Sequence, residues 1–494
     1  MPDTWATSGL DLHLELTGRR VRSGLEAALR DAVRTGRLRP GTQLPSSRAL
    51  ASDLGIARNT VAEAYGQLVA EGWLTARRGS GTQVADRAAE AAAPARATGQ
   101  SAAQAAGRST AQGAAQAAGR AAVQAAGQAD RLRYDLRPGS PDLSAFPRQE
   151  WLAAARRSLS AAPSKALGYG GPRGRPELRR ALAGYLSRAR GVRADPGRIV
   201  ICSGFTHGLG LLCQALRAGG AAVLATEAYG LPVHRDVAAA RGLRLTSLPV
   251  DADGAAVSEI GGAAAVLLTP AHQFPLGVAL AAGRRAMVVE WARRTGGLVI
   301  EDDYDGEFRY DRQPIGAVQA LAPEHVVYAG TASKSLVPGL QLGWLVLPAQ
   351  LVDEVAAVIT LAGGYPAALD QLTLAEFIES GRYDRQLRRA RLAYRRRRDQ
   401  LVAALRRQAP DVQVTGIAAG LHIVLTLPAG QREDEVVSRA ARRGLALEGL
   451  GQYRAQRRHT RGPSLVVGYG TPAEHAFTGA VARLCAVLSE AAGP

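Results

Sequence analysis

Lysine is nearly missing from this chain. Of 494 residues, 61 are lysine or arginine, and only Lys165 and Lys334 are lysine. Arginine has taken over wherever a bare positive charge is enough, so a retained lysine asks for a reason. A lysine amine can lose its proton in a dry pocket and condense with a carbonyl, whereas arginine stays protonated. Cysteine is scarce as well. Cys202, Cys213 and Cys485 are scattered without metal-ligand spacing, which argues against a disulfide framework and a structural zinc site. The eight histidines contain no HExxH pattern, so no metal is expected. No apolar run reaches the roughly 18 residues of a membrane span. The start, MPDTWATSGLDLHLEL, lacks the basic-then-apolar order of a signal peptide. The expectation is a cytoplasmic protein with no membrane contact.

Size and positive charge are what the chain does have. Its length exceeds one ordinary core and predicts two or three domains, and a hydrophobic content of 47% is ample for their interiors. The formal net charge of +18 points to an anionic partner such as nucleic acid.

Composition changes most sharply over residues 86–130, where ATGQSAAQAAGRSTAQGAAQAAGRAAVQAAGQAD carries an imperfect AAQAAGR repeat and almost no large apolar side chain. Such a stretch cannot bury enough surface to offset the entropy of ordering, so it reads as a linker between domains. Residues 12–85 precede it. Helical spacing first appears in RRVRSGLEAALRDAVRTGRL, with Val21, Leu25, Ala28, Leu29 and Val33 on one face. Gly36, Pro40, Gly41 and Pro45 then break the helix. Ser46 is placed to cap a second helix and Gly55 to end it. A third helix follows, with Val61, Tyr65, Leu68 and Val69 as its apolar stripe. WLTARRGSGTQVA closes the unit as strand, turn and strand. This order describes a winged helix-turn-helix.

In such a domain the second helix of the pair enters the major groove and its first residues reach base edges. Here those residues are Arg58, Asn59 and Thr60. Arg48, Arg77, Arg78, Ser80 and Thr82 are suited to phosphate or minor-groove contacts. The run LPSSRALASDLGIARNTVAEAYGQLVAEGWLTARRGSGTQV resembles the DNA-binding domain of the GntR family of bacterial regulators. That resemblance implies double-stranded operator DNA as partner. It also marks Ala57 as a departure, since members usually carry a capping serine there.

Residues 131–494 alternate short β-rich runs with helical stretches: RIVICSG, AAVLATE, AAVLLTP, GLVIEDD and HVVYAG. This is the pattern of an α/β domain with a mainly parallel sheet, in which ligands sit at the carboxyl ends of the strands. Lys334 lies in GTASKSLVPGLQLGW. A Schiff-base lysine holding pyridoxal phosphate needs an anion site, a carboxylate for the ring nitrogen, a hydroxyl near the ring oxygen and an aromatic face. Gly204, Phe205 and Thr206 open a helix after a strand and offer amides to a phosphate. Asp302 ends a strand just before Tyr304, and Tyr229 follows another strand in ATEAYGLP.

Together with TPAHQFPLG, these segments resemble the fold-type I aminotransferases. Joined to a GntR-type front domain, the arrangement resembles the MocR subfamily of transcriptional regulators. The resemblance implies a head-to-tail homodimer that binds pyridoxal 5'-phosphate through Lys334 and senses it, or an amine or amino acid effector. It assigns Asp302 to the pyridine nitrogen, Tyr304 to the phenolate oxygen, Tyr229 to the ring face and Gly204 to Thr206, with Ser333, to the cofactor's surroundings. His272 and Gln273 fall in the effector-side loop, and Arg454 is a candidate for a carboxylate clamp. Two positions depart from the pattern. Gln341 replaces an arginine that contacts the phosphate, and Leu276 replaces a threonine. A true aminotransferase with a DNA-binding appendage, or a dimerisation scaffold without cofactor, are the alternative readings.

Overall fold

The computed structural model describes residues 21–34, 38, 41–70, 73–77, 81–85, 132–310, 316–456 and 461–490. The chain divides into two compact units, Met1–Gly107 and Arg108–Pro494. The stretch that reads as a linker, residues 86–130, lies outside the described residues.

The front unit is built from helices α1 (Val21–Arg34), α2 (Ser47–Leu54) and α3 (Arg58–Ala70), followed by strands β1 (Leu74–Arg77) and β2 (Gly81–Val84). Its core is the apolar stripe that the helical spacing predicts. Leu25, Leu29, Leu50, Val61, Tyr65 and Leu68 are buried together with Leu74 and Val84 of the wing. Ser46 caps α2 by accepting a hydrogen bond from the Ala49 amide at 3.2 Å. Gly55 ends that helix with φ of 65°, in the left-handed region that favours glycine. The two strands form an antiparallel hairpin in the register Leu74 to Val84. The Tyr65 hydroxyl donates to the Pro45 carbonyl at 3.0 Å and ties α3 to the turn before α2.

The large unit is centred on a seven-stranded sheet. Its strands are β3 (Ile199–Cys202), β4 (Val223–Glu227), β5 (Arg244–Leu248), β6 (Ala265–Leu268), β7 (Leu298–Asp302), β8 (Val326–Thr331) and β9 (Gly343–Val346). They lie in the order β3-β9-β8-β7-β6-β4-β5. All neighbours are parallel except β9, which runs antiparallel to both β8 and β3. The five runs that read as strands from the sequence all lie in this sheet. Most of their residues are buried because helices cover both faces, which explains the unbroken apolar runs.

A second, antiparallel sheet combines β10 (Gln413–Thr415), β11 (His422–Thr426), β12 (Glu448–Gly449) and β13 (Ser464–Gly468) in the order β10-β11-β13-β12. Leading into it is the long helix Arg382–Gln408. One buried cluster joins this smaller sheet to the large one, from Ile199 and Trp344 to Leu425 and Val467. Among the described residues no helix is long and apolar enough to cross a membrane.

Candidate functional site

Parallel strands end on the same side of a sheet, and here the ends of β3, β4, β7 and β8 surround a cavity of about 320 Å³. Lys334, Asp302, Tyr304, Tyr229, Gly204, Phe205, Thr206 and Ser333 all line it. These residues are up to 130 positions apart in sequence, yet each follows the carboxyl end of a strand.

The anion end is built from β3 and the helix after it, Phe205–Ala218, whose first turn points amides at the cavity. Gly204 has φ of 88°, a conformation that favours glycine. A Cβ on Gly343 of β9 would stand only 2.8 Å from the Gly204 Cα, so two glycines let these backbones meet. On the far side of the same turn, the His234 ring packs edge-on against Phe205 with centroids 4.7 Å apart. Burial lowers the His234 pKa to about 4, and the charges of Lys334 and Arg235 act in the same direction. This imidazole is neutral at physiological pH.

At the opposite end Asp302 is buried, and its Oδ1 has no hydrogen-bond partner among the described residues. Burial raises its pKa well above the carboxylate range, and the Asp303 charge adds to this while Lys334 opposes it. An uncompensated carboxylate oxygen on a residue that lines a cavity is an expensive arrangement unless a cationic or N–H partner completes it. Between these ends the Lys334 amine donates to the Gly139 carbonyl at 2.5 Å. Burial depresses its pKa, with Asp302 and Asp305 pulling the other way. Ser333 and Thr331 exchange a hydrogen bond of 2.9 Å beside it.

His272 and Gln273, expected on the effector side, do not line the cavity. Both are buried behind its wall and brace the groups that do. His272 Nδ1 lies 2.8 Å from Asp305 Oδ2 and 3.1 Å from the Tyr304 hydroxyl. Gln273 donates to Glu227 Oε2 at 3.2 Å and to the Tyr229 carbonyl at 2.9 Å. Ligand-type atoms of His272, Asp305 and His422 come within 4.8 Å of one another. Internal hydrogen bonds already account for them, since His422 Nε2 also lies 3.0 Å from the Pro275 carbonyl. Arg454 forms a backbone bridge with Tyr229 but is not part of the lining. Gln341 does line the cavity, with φ of 47°.

Several lining residues are not singled out by the sequence patterns above. Glu227, at the end of β4, accepts from the Thr269 hydroxyl at 2.6 Å, and burial pushes its pKa up to about 7. The motif ATEAYGLP contains it, so the strand-end rule that finds Asp302 would find it too. Arg235 donates to the carbonyls of Gly230 at 2.9 Å and Tyr453 at 3.2 Å. Gly139 comes from a segment nearly 200 residues before Lys334, and nothing local in the sequence announces it.

On the front unit, Arg58 and Asn59 are exposed and Thr60 half-buried in the first turn of α3, with Arg48 exposed on α2. Thr82 is half-buried on β2. The side chain of Arg77, and all of Arg78 and Ser80, lie outside the described residues.

Comparison with known proteins agrees with this division. Residues 22–84 match the bacterial regulatory proteins of the gntR family, and residues 137–448 match the aminotransferases of class I and II. The chain is 33% identical to the probable rhizopine catabolism regulatory protein MocR of Rhizobium meliloti, covering 84% of this chain and 83% of that one. It is 30% identical to the pyridoxine biosynthesis transcriptional regulator PdxR of Corynebacterium glutamicum, over 95% of this chain and 96% of the relative. An uncharacterized HTH-type transcriptional regulator of Bacillus subtilis, YhdI, is 32% identical over 88% of each chain. Among solved structures, an archaeal alanine:glyoxylate aminotransferase superposes with a TM-score of 0.67 at 25% identity, covering 73% of this chain and 91% of that one.

Proposed function

Because the chain belongs to the MocR subfamily of GntR-type transcriptional regulators, with a helix-turn-helix unit followed by an aminotransferase-fold unit, we propose that its large unit binds pyridoxal phosphate at Lys334. In this reading the loaded site sets how the protein engages operator DNA in the cytoplasm. The observation that carries it is the unpartnered Oδ1 of Asp302, a residue that lines the same cavity as Lys334, a lysine of depressed pKa. A protonated pyridine nitrogen is the partner that carboxylate lacks.

The residues present fit the group. Asp302 would hold the ring nitrogen, and the amides of the Gly204–Phe205 turn with the hydroxyls of Thr206 and Ser333 would hold the phosphate. Tyr304 keeps its proton, because burial raises its pKa, as do the Asp305 and Asp302 charges. It is therefore a hydrogen-bond donor for the ring oxygen, held in place by His272. Tyr229 and His234, which line the cavity, would wall the ring. When bound, the cofactor supplies an aldehyde that reacts with amines and a ring that withdraws electrons. Lys334, whose pKa burial depresses, would supply the nucleophilic nitrogen that holds the cofactor. A ligand shifts DNA binding only through different affinities for two arrangements of the protein. A change in what the Lys334 nitrogen holds would be a source of such a difference.

Pairing of two copies fits the apolar side chains left at the surface. Leu361 is 85% exposed and Tyr169 fully so, and the turn Ser164–Leu167 that precedes Tyr169 packs on the helix Ala368–Glu379. Efficient transaminase turnover is not part of this reading. The segment SLVVGYG has no arginine to clamp a substrate carboxylate, and Arg454 does not line the cavity.

The test is a pyridoxal phosphate titration followed by absorbance, with borohydride treatment and peptide mass mapping. The added pyridoxyl mass is expected on Lys334 and absent in Lys334→Ala. Gln341→Arg restores a charge-assisted contact and is expected to lower the dissociation constant about tenfold, the equivalent of about 1.4 kcal/mol. Label appearing elsewhere, or a Lys334→Ala protein that retains the absorbance, would overturn the assignment.

A further inference from the structure

The helix Arg382–Gln408 is the most basic of the described elements, with eleven arginines and two aspartates in 27 residues. Fold stability accounts for one of them. Arg397 is buried, and its Nη2 binds Asp142 and Glu474, both at 2.7 Å. At 100° per residue, Arg382, Arg385, Arg388, Arg389, Arg395, Arg396, Arg406 and Arg407 fall within about 140° of the helix circumference. All but the half-buried Arg382 are exposed. The first four of them, with Glu150 and Leu392, line a single surface groove of about 400 Å³. Acidic compensation is thin. Arg389 lies 3.3 Å from Glu150 and Arg395 lies 3.9 Å from Asp399, both pairs well exposed.

Like charges at helical i, i+3 and i+4 spacing repel each other. A coding preference for arginine explains why each cation is arginine, but not why so many cations share one face. We propose that this face is a DNA-contact surface of the large unit, gripping duplex phosphates without reading bases. The stripe runs about 38 Å at 1.5 Å per residue, close to one turn of B-DNA. Guanidinium forks match phosphate oxygens, and a duplex offers about one charge per 1.7 Å along its axis. Charge complementarity favours a polyanion over a membrane, since an interfacial helix carries an apolar face toward lipid. Here the opposite face, with Tyr383, Leu387, Tyr394 and Leu401, is buried in the protein core. Duplex is also the one polyanion that the front unit of this family brings to the molecule.

The experiment is anisotropy of the full chain on a duplex from upstream of its own gene and on a scrambled duplex of equal length, across a range of KCl concentrations. Replacing Arg382, Arg385, Arg388 and Arg389 by glutamine is expected to flatten the log affinity against log salt slope by about one for every phosphate no longer neutralised. Affinity at low salt should fall about tenfold or more on both duplexes, leaving their ratio unchanged. Unaltered cofactor absorbance checks the fold. Should the fourfold variant fail that check, the single changes Arg388→Gln and Arg396→Gln carry the test, each with a slope change of about one. An unchanged slope with intact operator binding overturns this surface alone. A loss confined to the specific duplex also overturns it. Absence of all duplex binding by the unmutated chain would overturn the regulator reading with it.

Discussion

At the scale of single residues, the large unit stores several buried carboxylates whose ionisation opposes folding. Glu227 shares the cavity with Asp302, and burial raises its pKa from 4.5 to about 7. Glu301, which accepts from the backbone amides of Val318 and Gln319, is raised to about 7 by the same cause. A raised carboxyl holds a proton in the folded state that the unfolded chain has already released. Its contribution is therefore fully present below about pH 4.5 and lost as pH climbs to about 7. Glu227→Gln removes one such group while keeping an acceptor for the Thr269 hydroxyl. Between pH 5 and pH 8 the variant is expected to lose less stability than the parent, by up to roughly 3 kcal/mol. Urea unfolding at the two pH values measures it, and equal losses would contradict the assignment. Glu227 is as legible in the sequence as Asp302, because both end a strand. Gly139 and His422 are not, since only the packing of distant segments brings them to the lysine.

Elements are easiest to foresee where burial imposes a pattern. The five apolar runs of the central sheet are covered on both sides, so their sequences read continuously. Two strands carry too little signal to be anticipated. Strand β5 is an edge whose burial is confined to Ser247 and Leu248, and its sequence RLTSL has few apolar residues. Strand β9 is four residues long and follows immediately on the turn behind Lys334, so its GWLV reads as the tail of a motif. In the front unit, the predicted cap Ser46 and stop Gly55 both act as such, because capping is decided by local chemistry. The start of α3 lacks that chemistry. Ala57 contributes only its carbonyl, which accepts from the Thr60 amide at 3.0 Å. Ala57→Ser should stabilise this unit by about 1 kcal/mol, raising its melting temperature by roughly 4–8 °C. Thermal melts followed by circular dichroism would show it, and an unchanged midpoint would mean that the first turn of α3 is already satisfied.

At the largest scale, each of the two units has, among the described residues, hydrophobic clusters of its own. Leu25 to Val84 form one, and the clusters of the aminotransferase fold lie wholly beyond residue 135. Calorimetry is expected to resolve two transitions. Pyridoxal phosphate at a hundred times its dissociation constant should stabilise the larger by about 2.7 kcal/mol and leave the smaller in place. Joint movement of both transitions would show that the units melt as one. The bond from Lys334 to Gly139 gives the site a further property. Gly139 sits in a segment whose neighbours are pinned by Thr471, which donates to the carbonyls of Arg137 at 2.6 Å and Ser140 at 3.2 Å. That segment is where the chain coming from the front unit joins the aminotransferase fold. A lysine nitrogen engaged in an imine keeps at most one proton of the three an ammonium offers, so the proposed cofactor bond would compete with the contact to the Gly139 carbonyl. In the proposed reading, occupancy of the cavity and tethering of the chain's point of entry would draw on the same atom.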